Sequence, residues 1–322
     1  MNNLITVAAH ISVPHARQTI AIDPVILDMP ARGLPLEMRI TAPATGHDLP
    51  IILLSHGGGP SLYISSKDGY GPLVNFYAEH GFVVIQPTHA SSRVGGLPSD
   101  ASGGPFHWRS RVADMKRILD GLDEIEALVP ALAGRLDHSR IAAVGHSLGG
   151  KTVGMLLGAR LTDPNDASAT DVNLIEPRIK AGVLMAAPGN GGDSLAPSIR
   201  EAYSVLNPDF SYLTTPTLVV AGDSDLSPHL TTRGPDWHVD PYRHAPGSNA
   251  LLTLIGGKHG MGGIAGYDAK ETDDEEPDRL AVTQRRSWAY LRSALYPDDT
   301  AWLVACKALQ EHAASQARVD TK

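Results

Sequence analysis

Ser147 lies in Gly145-His146-Ser147-Leu148-Gly149, a G-x-S-x-G sequence, and the same stretch continued through Gly150-Lys151-Thr152 reads G-x-x-x-x-G-K-T. The first pattern puts a serine on a tight strand-to-helix turn as a nucleophile; the second builds a backbone cradle for phosphate. One set of glycines cannot do both. A serine hydroxyl is a weak nucleophile until an imidazole takes its proton, and that imidazole needs an acid to hold its tautomer. Both groups follow in chain order. Residues 217–228, TLVVAGDSDLSP, offer Asp223 and Asp225 after an apolar run, and residues 250–260, ALLTLIGGKHG, offer His259 after another.

Acyl transfer also requires N–H donors aimed at the charge that develops on the carbonyl oxygen. Leu148 N–H, next to the nucleophile, is one candidate. Residues 55–59, SHGGG, follow an early apolar run and supply Gly58 or its neighbour Gly57 as the other. His56 is expected to shape that loop by hydrogen bonding. His56 and His146, with Trp237 and Tyr242 in a later loop, are the candidate substrate contacts.

The phosphate reading meets its first two demands, a strand before and a helix after, and fails the third. It needs a distant strand ending in an acid that helps hold Mg²⁺. Here Gly222 separates the apolar run from Asp223, and residues 181–189, AGVLMAAPG, end without an acid. Lys151 and Thr152 then read as ordinary helix residues. A P-loop nucleotide-binding protein is kept as the alternative of another class.

These groups must be positioned by alternating strands and helices. Residues 50–59 read as a strand running into a glycine loop, and 82–89, 140–147, 181–188, 217–223 and 250–257 as strands; the amphipathic stretches 71–81 and 107–129 read as helices, as does the small, apolar stretch 148–160, which should be buried against the sheet. The pattern is that of an α/β protein with a mostly parallel sheet. Extended pieces up to Pro43, such as PLEMRITAP, read as antiparallel edge strands. Two long irregular stretches, 189–213 and 226–249, are expected to be lids or pocket-covering insertions, with Tyr203, Phe210, Tyr212, Trp237 and Tyr242 supplying apolar walls. The acidic run 271–278 reads as a solvated turn and helix start, before a final helical region with Trp288, Tyr290, Leu291 and Leu295.

The chain has 322 residues, and 42% hydrophobic with 19% charged composition is ordinary for a globular protein, read here as a single domain over 1–322. The formal charge of −8 and the lack of a Lys/Arg cluster argue against nucleic acid or an anionic membrane surface as partner. The one cysteine, Cys306, gives no disulfide framework and no thiolate metal cluster, and reads as an inert buried thiol. No metal or cofactor is called for. The N-terminal residues carry no basic segment followed by an apolar run, and no stretch of about 18 apolar residues occurs, so the expectation is a cytoplasmic protein without a membrane span.

Over nearly all its length, from LPIILLSHGGG through GHSLGG and VVAGDSD to GGKHG, the chain resembles the α/β-hydrolase superfamily. Within it, LSHGGG with GFVVIQPTHASS and VGHSLGGKT looks most like the branch of predicted dienelactone hydrolases, chlorophyllases and platelet-activating-factor acetylhydrolases. The resemblance implies an eight-stranded, mostly parallel sheet, Ser147 as nucleophile, His259 as base and Asp225 as its partner. Asp225, three residues after Gly222 and three before Pro228, stands at the spacing such hydrolases give their triad acid. The dienelactone hydrolases use a cysteine nucleophile where this chain has Ser147, so dienelactone itself is not implied. The expected reaction is hydrolysis of a small carboxylic ester through an acyl-enzyme; amide, lactone and thioester cleavage use the same apparatus.

Overall fold

The computed structural model describes residues 5–59, 61–94, 105–163, 166, 168–266 and 273–322. Its centre is one nine-stranded sheet in the order β1-β2-β4-β3-β5-β6-β7-β8-β9. The strands are β1 (Thr19–Leu27), β2 (Leu36–Pro43), β3 (Leu49–Ser55), β4 (Val83–Pro87), β5 (Leu136–His146), β6 (Ile179–Met185), β7 (Thr217–Gly222), β8 (Ser248–Leu254) and β9 (Ala317–Thr321). The stretch from β4 through β3, β5, β6 and β7 to β8 is parallel. β1 and β2 are antiparallel at one edge, as their alternating sequence predicts, and β9 is antiparallel to β8 at the other.

The expected eight strands are therefore nine. β9 escapes a reading by pattern because its five residues, ARVDT, form no apolar run; only pairing with β8 makes them a strand. The long helix expected over 107–129 is two, α2 (Trp108–Asp120) and α3 (Leu122–Leu128), broken at Gly121.

The central strands are buried on both faces, which explains their unbroken apolar sequences. Side chains alternate across a strand, so Ile52 and Leu54 of β3 join one core while Ile51 and Leu53 join the other. The first core is covered by α1 (Gly71–Glu79) and α6 (Pro277–Leu295), with Tyr77, Val282 and Leu291 against the sheet, and by α7 (Ala301–His312) through Ala305 and Leu309. The second is covered by α2 through Met115 and Ile118, and by α4 (Leu148–Leu156) through Val153 and Leu156. Cys306 is half-buried on α7, with its sulfur 3.0 Å from Arg286 Nη2.

Parallel strands bring their C-terminal ends to one side, where such sheets carry their ligand sites. The loops after β3, β4, β5, β7 and β8 all open there. Residues 95–104 of the loop after β4, and Glu271 and Thr272 of the acidic run, lie outside the described residues. Among the described residues no helix is long and apolar enough to cross a membrane.

Candidate active site

β5 ends at His146 and α4 begins at Leu148, so Ser147 alone makes the turn between them. Its backbone stands at φ 55°, ψ −122°, a conformation that costs any residue with a Cβ. Two glycines make the turn possible. A Cβ on Gly145 would lie 2.2 Å from the Gly149 carbonyl oxygen, and one on Gly149 would lie 1.9 Å from the Ser55 carbonyl oxygen. The turn is also tied to the next strand, since Ser147 N–H donates to the Met185 carbonyl at 2.8 Å.

Two features of this geometry speak against the P-loop alternative. A one-residue turn leaves no loop to wrap a phosphate. Lys151 is buried, with its ammonium 3.7 Å from Met155 Sδ and 5.6 Å from the centre of the Trp108 ring. Burial pushes its pKa down to about 7.

Of the two candidate acids, Asp225 meets the histidine. His259 Nδ1 is 2.9 Å from Asp225 Oδ2 and 3.2 Å from Oδ1. Asp225 is buried, which alone would raise its pKa; the hydrogen bond and charge of His259, with His238 and His146 behind, reverse that and hold it below the usual carboxylate range. Asp223 staples its loop instead, accepting the Gly256 N–H at 2.8 Å. His259 is tied to the residue next to Ser147: His146 Nε2 lies 2.8 Å from the His259 carbonyl oxygen, and the two rings are 4.8 Å apart. Among the described residues no hydrogen bond joins Ser147 Oγ to His259, a contact that commonly tightens when substrate binds.

Ser147 opens on a cavity of about 770 Å³. Leu148, Gly58 and Gly59 line it with Ser147, while Phe106, Ile199, Tyr203, Leu206 and Leu230 give it apolar walls. Leu148 N–H, at the first position of α4, has no partner from within the helix. Gly58 faces Leu148, its would-be Cβ 3.1 Å from Leu148 Cδ2. Gly57 must be set aside as an oxyanion donor, because its N–H already donates to Tyr70 Oη at 3.0 Å.

None of the four expected substrate contacts lines this cavity. His56 is fully buried and both ring nitrogens are used: Nδ1 donates to the Gly57 carbonyl at 2.6 Å and Nε2 accepts the His89 N–H at 3.0 Å. It shapes the glycine loop, as its position beside that loop suggests. His146 is buried between Tyr70 and His259. Trp237 is buried behind the wall with Leu195 and Leu206, its indole N–H on the Asn190 carbonyl at 2.8 Å. Tyr242 belongs to a separate surface hollow beside Asp223 and carries the Lys322 ammonium over its ring. The two long stretches do line the cavity, through Ile199, Tyr203 and Leu206 from the first and His229 and Leu230 from the second. They are joined by the Thr231 hydroxyl, which donates to the Ser194 carbonyl at 2.7 Å.

The structure holds a second Ser-His-Asp array that sequence order did not disclose. Ser55 Oγ is 2.9 Å from His89 Nε2, and His89 Nδ1 is 2.8 Å from Asp114 Oδ2. Its bond lengths suit catalysis, but all three residues are fully buried and none lines the cavity. Access separates the two arrays: Ser147 opens on the cavity and Ser55 does not. Asp114 is pushed up to about 7 by burial, and His89 is driven well below its ordinary value by burial and the adjacent Arg111.

Asp225, His238 and His259 also carry ligand-type atoms within 4.8 Å of one another. In the structure the carboxylate is hydrogen-bonded to His259, while His238 keeps Nδ1 on the Ala187 carbonyl at 2.9 Å. The set is a hydrogen-bonded carboxylate–imidazole pair with a second imidazole, His238, beside the acid.

The chain is thus an α/β protein with a mostly parallel sheet, a strained serine at a strand end and an Asp–His pair on the following strand ends. No protein-family model matches the chain, and no curated protein matches it.

Proposed function

We propose that this chain is a serine hydrolase of the α/β-hydrolase type that cleaves a small carboxylic ester through an acyl-enzyme. The observation that carries the reading is Ser147 on a strained one-residue turn, opening on a cavity of about 770 Å³, beside His259 whose Nδ1 is held by the buried Asp225. Strain of that kind persists only where the surroundings enforce it and is concentrated at functional sites.

In this mechanism Ser147 Oγ attacks the ester carbonyl carbon while His259 Nε2 takes its proton. The Asp225 carboxylate stabilises the imidazolium and keeps the proton on Nδ1. Negative charge on the tetrahedral oxygen is met by Leu148 N–H and by the glycine loop at Gly58. Collapse expels the alcohol, which takes the proton from His259; water activated by the same imidazole then releases the acid. Each oxyanion donor contributes on the order of 10²–10³ in kcat in enzymes of this kind.

The test is covalent labelling by a fluorophosphonate and turnover of a p-nitrophenyl ester. Both are expected in the wild type and both should vanish in Ser147→Ala with folding preserved. Retained turnover in that variant removes the assignment.

A further inference from the structure

Ser147 is flanked by two loops whose separation any acyl transfer depends on: the glycine loop after β3 and the loop after β8 that carries His259. One run of hydrogen bonds crosses between them. It starts at Arg111, fully buried on α2, whose Nε donates to Thr152 Oγ1 at 2.9 Å, Nη1 to Ser91 Oγ at 2.7 Å, and Nη2 to Ser55 Oγ at 3.2 Å and to the His56 carbonyl. The peptide unit that offers this carbonyl carries on its other side the Gly57 N–H, which donates to Tyr70 Oη at 3.0 Å. Tyr70 Oη is 2.8 Å from His146 Nδ1, and His146 Nε2 is 2.8 Å from the His259 carbonyl oxygen.

The position of every proton follows from the donors and acceptors available. A carbonyl oxygen only accepts, so His146 carries its hydrogen on Nε2. In the neutral ring Nδ1 then accepts, so the Tyr70 hydroxyl donates to it and keeps a lone pair for Gly57. Every bond is made and all point the same way, the arrangement in which buried hydrogen bonds strengthen one another. The ring stays neutral, because burial and the nearby His259 push His146 down to about 3.

Neither Tyr70 nor His146 lines the cavity. We propose that they are positioning residues, which hold the base loop and the oxyanion loop at fixed places on either side of Ser147. The inference rests on the hydrolase reading above. Tyr70 also carries a left-handed backbone, φ 65°, at the start of α1, with its own N–H on the Ala265 carbonyl at 3.0 Å, so its ring is aimed from a fixed point.

The test is Tyr70→Phe, which keeps the ring and removes the bridging oxygen. A loose base and glycine loop should lower kcat about tenfold or more with KM changed less than about twofold, since small misplacements of reacting groups cost on that scale. ¹⁵N NMR of the imidazoles provides a readout that needs no activity: wild-type His146 should be protonated on Nε2 and bare on Nδ1, and in Tyr70→Phe the Nε2 proton should remain while the Nδ1 resonance shifts with the loss of its hydrogen-bond donor. His146→Gln, which can offer an oxygen to Tyr70 and an N–H to His259, should retain more kcat than His146→Leu. A folded Tyr70→Phe with wild-type kcat and KM overturns the proposal, as does a wild-type His146 protonated on Nδ1. Fluorophosphonate labelling separates the two levels of the argument. An unlabelled wild-type Ser147 removes the hydrolase reading and this proposal with it, whereas equal labelling and turnover in wild type and Tyr70→Phe removes the bridge alone.

Discussion

Ser147→Gly should be more stable than Ser147→Ala, although both variants lack the hydroxyl and both should be inactive. At φ 55° and ψ −122° the residue pays for its Cβ, and such conformations cost about 1–3 kcal/mol. Glycine relieves the strain but loses about 0.5–1 kcal/mol to the greater freedom of its unfolded chain. The difference is about 1 kcal/mol in favour of Gly. For 322 residues, at roughly 2.1 cal/mol/K each, the entropy of unfolding makes that a Tm increase of about 1.5 °C. Urea unfolding of the two variants, followed by circular dichroism, gives the free energy directly. Ser287 supplies the control, because it sits inside α6 where the order should reverse and Ala should exceed Gly by about 1 kcal/mol. If Ser147→Ala proves the more stable of its pair while the control behaves, the turn is not strained and the argument from strain to function fails.

Three further outcomes follow from the same geometry. Asp225→Asn should abolish most ester turnover, on the order of 10⁴ in kcat for a triad acid, whereas Asp223→Asn should leave kcat within a fewfold and cost about 1 kcal/mol of stability by weakening the Gly256 staple; the reverse order would exchange their roles. Stability should fall as pH drops from about 6.5 to 5. Burial depresses His56, His89 and His146, so the unfolded chain takes up protons in that window and the folded chain does not, which lowers stability by about 1.4 kcal/mol per pH unit for each histidine. Asp114, raised to about 7, takes up its proton in the folded state and offsets one of the three. Urea midpoints at pH 7, 6 and 5 check the sign, and a flat profile would refute the assigned neutral histidines. Ile199→Trp should fill part of the cavity and shift preference towards shorter acyl or alcohol groups in a p-nitrophenyl ester series; an unchanged series would mean the substrate lies elsewhere.

The central parallel strands were legible because each is buried on both faces and must therefore be apolar throughout. Ile51 to Leu54 is the plain case: whichever core a residue enters, it is hydrophobic. β9 was not legible, since an exposed edge strand needs no apolar run and is defined by its partner β8. The break at Gly121 was equally hidden, because the apolar spacing continues across it from Leu119 to Leu122 and Ile125.

The candidate site divides the same way. Chain order alone gave Ser147, an acid and His259, because each stands at the end of a strand and the sheet brings strand ends together. Order could not choose between Asp223 and Asp225, two residues apart; orientation at the end of β7 did. It offered His56, His146, Trp237 and Tyr242 as substrate contacts and none of them lines the cavity, since nearness in sequence to a site does not say whether a side chain faces the cavity or the core. It gave no signal for Tyr70, just before α1, or for Arg111 on α2, which reach the glycine loop and His146 only through hydrogen bonds. Above all, sequence could not tell the Ser147 array from that of Ser55, His89 and Asp114. Each set joins a serine, a histidine and an aspartate, and only packing decides that one is sealed in the core while the serine of the other opens on a cavity.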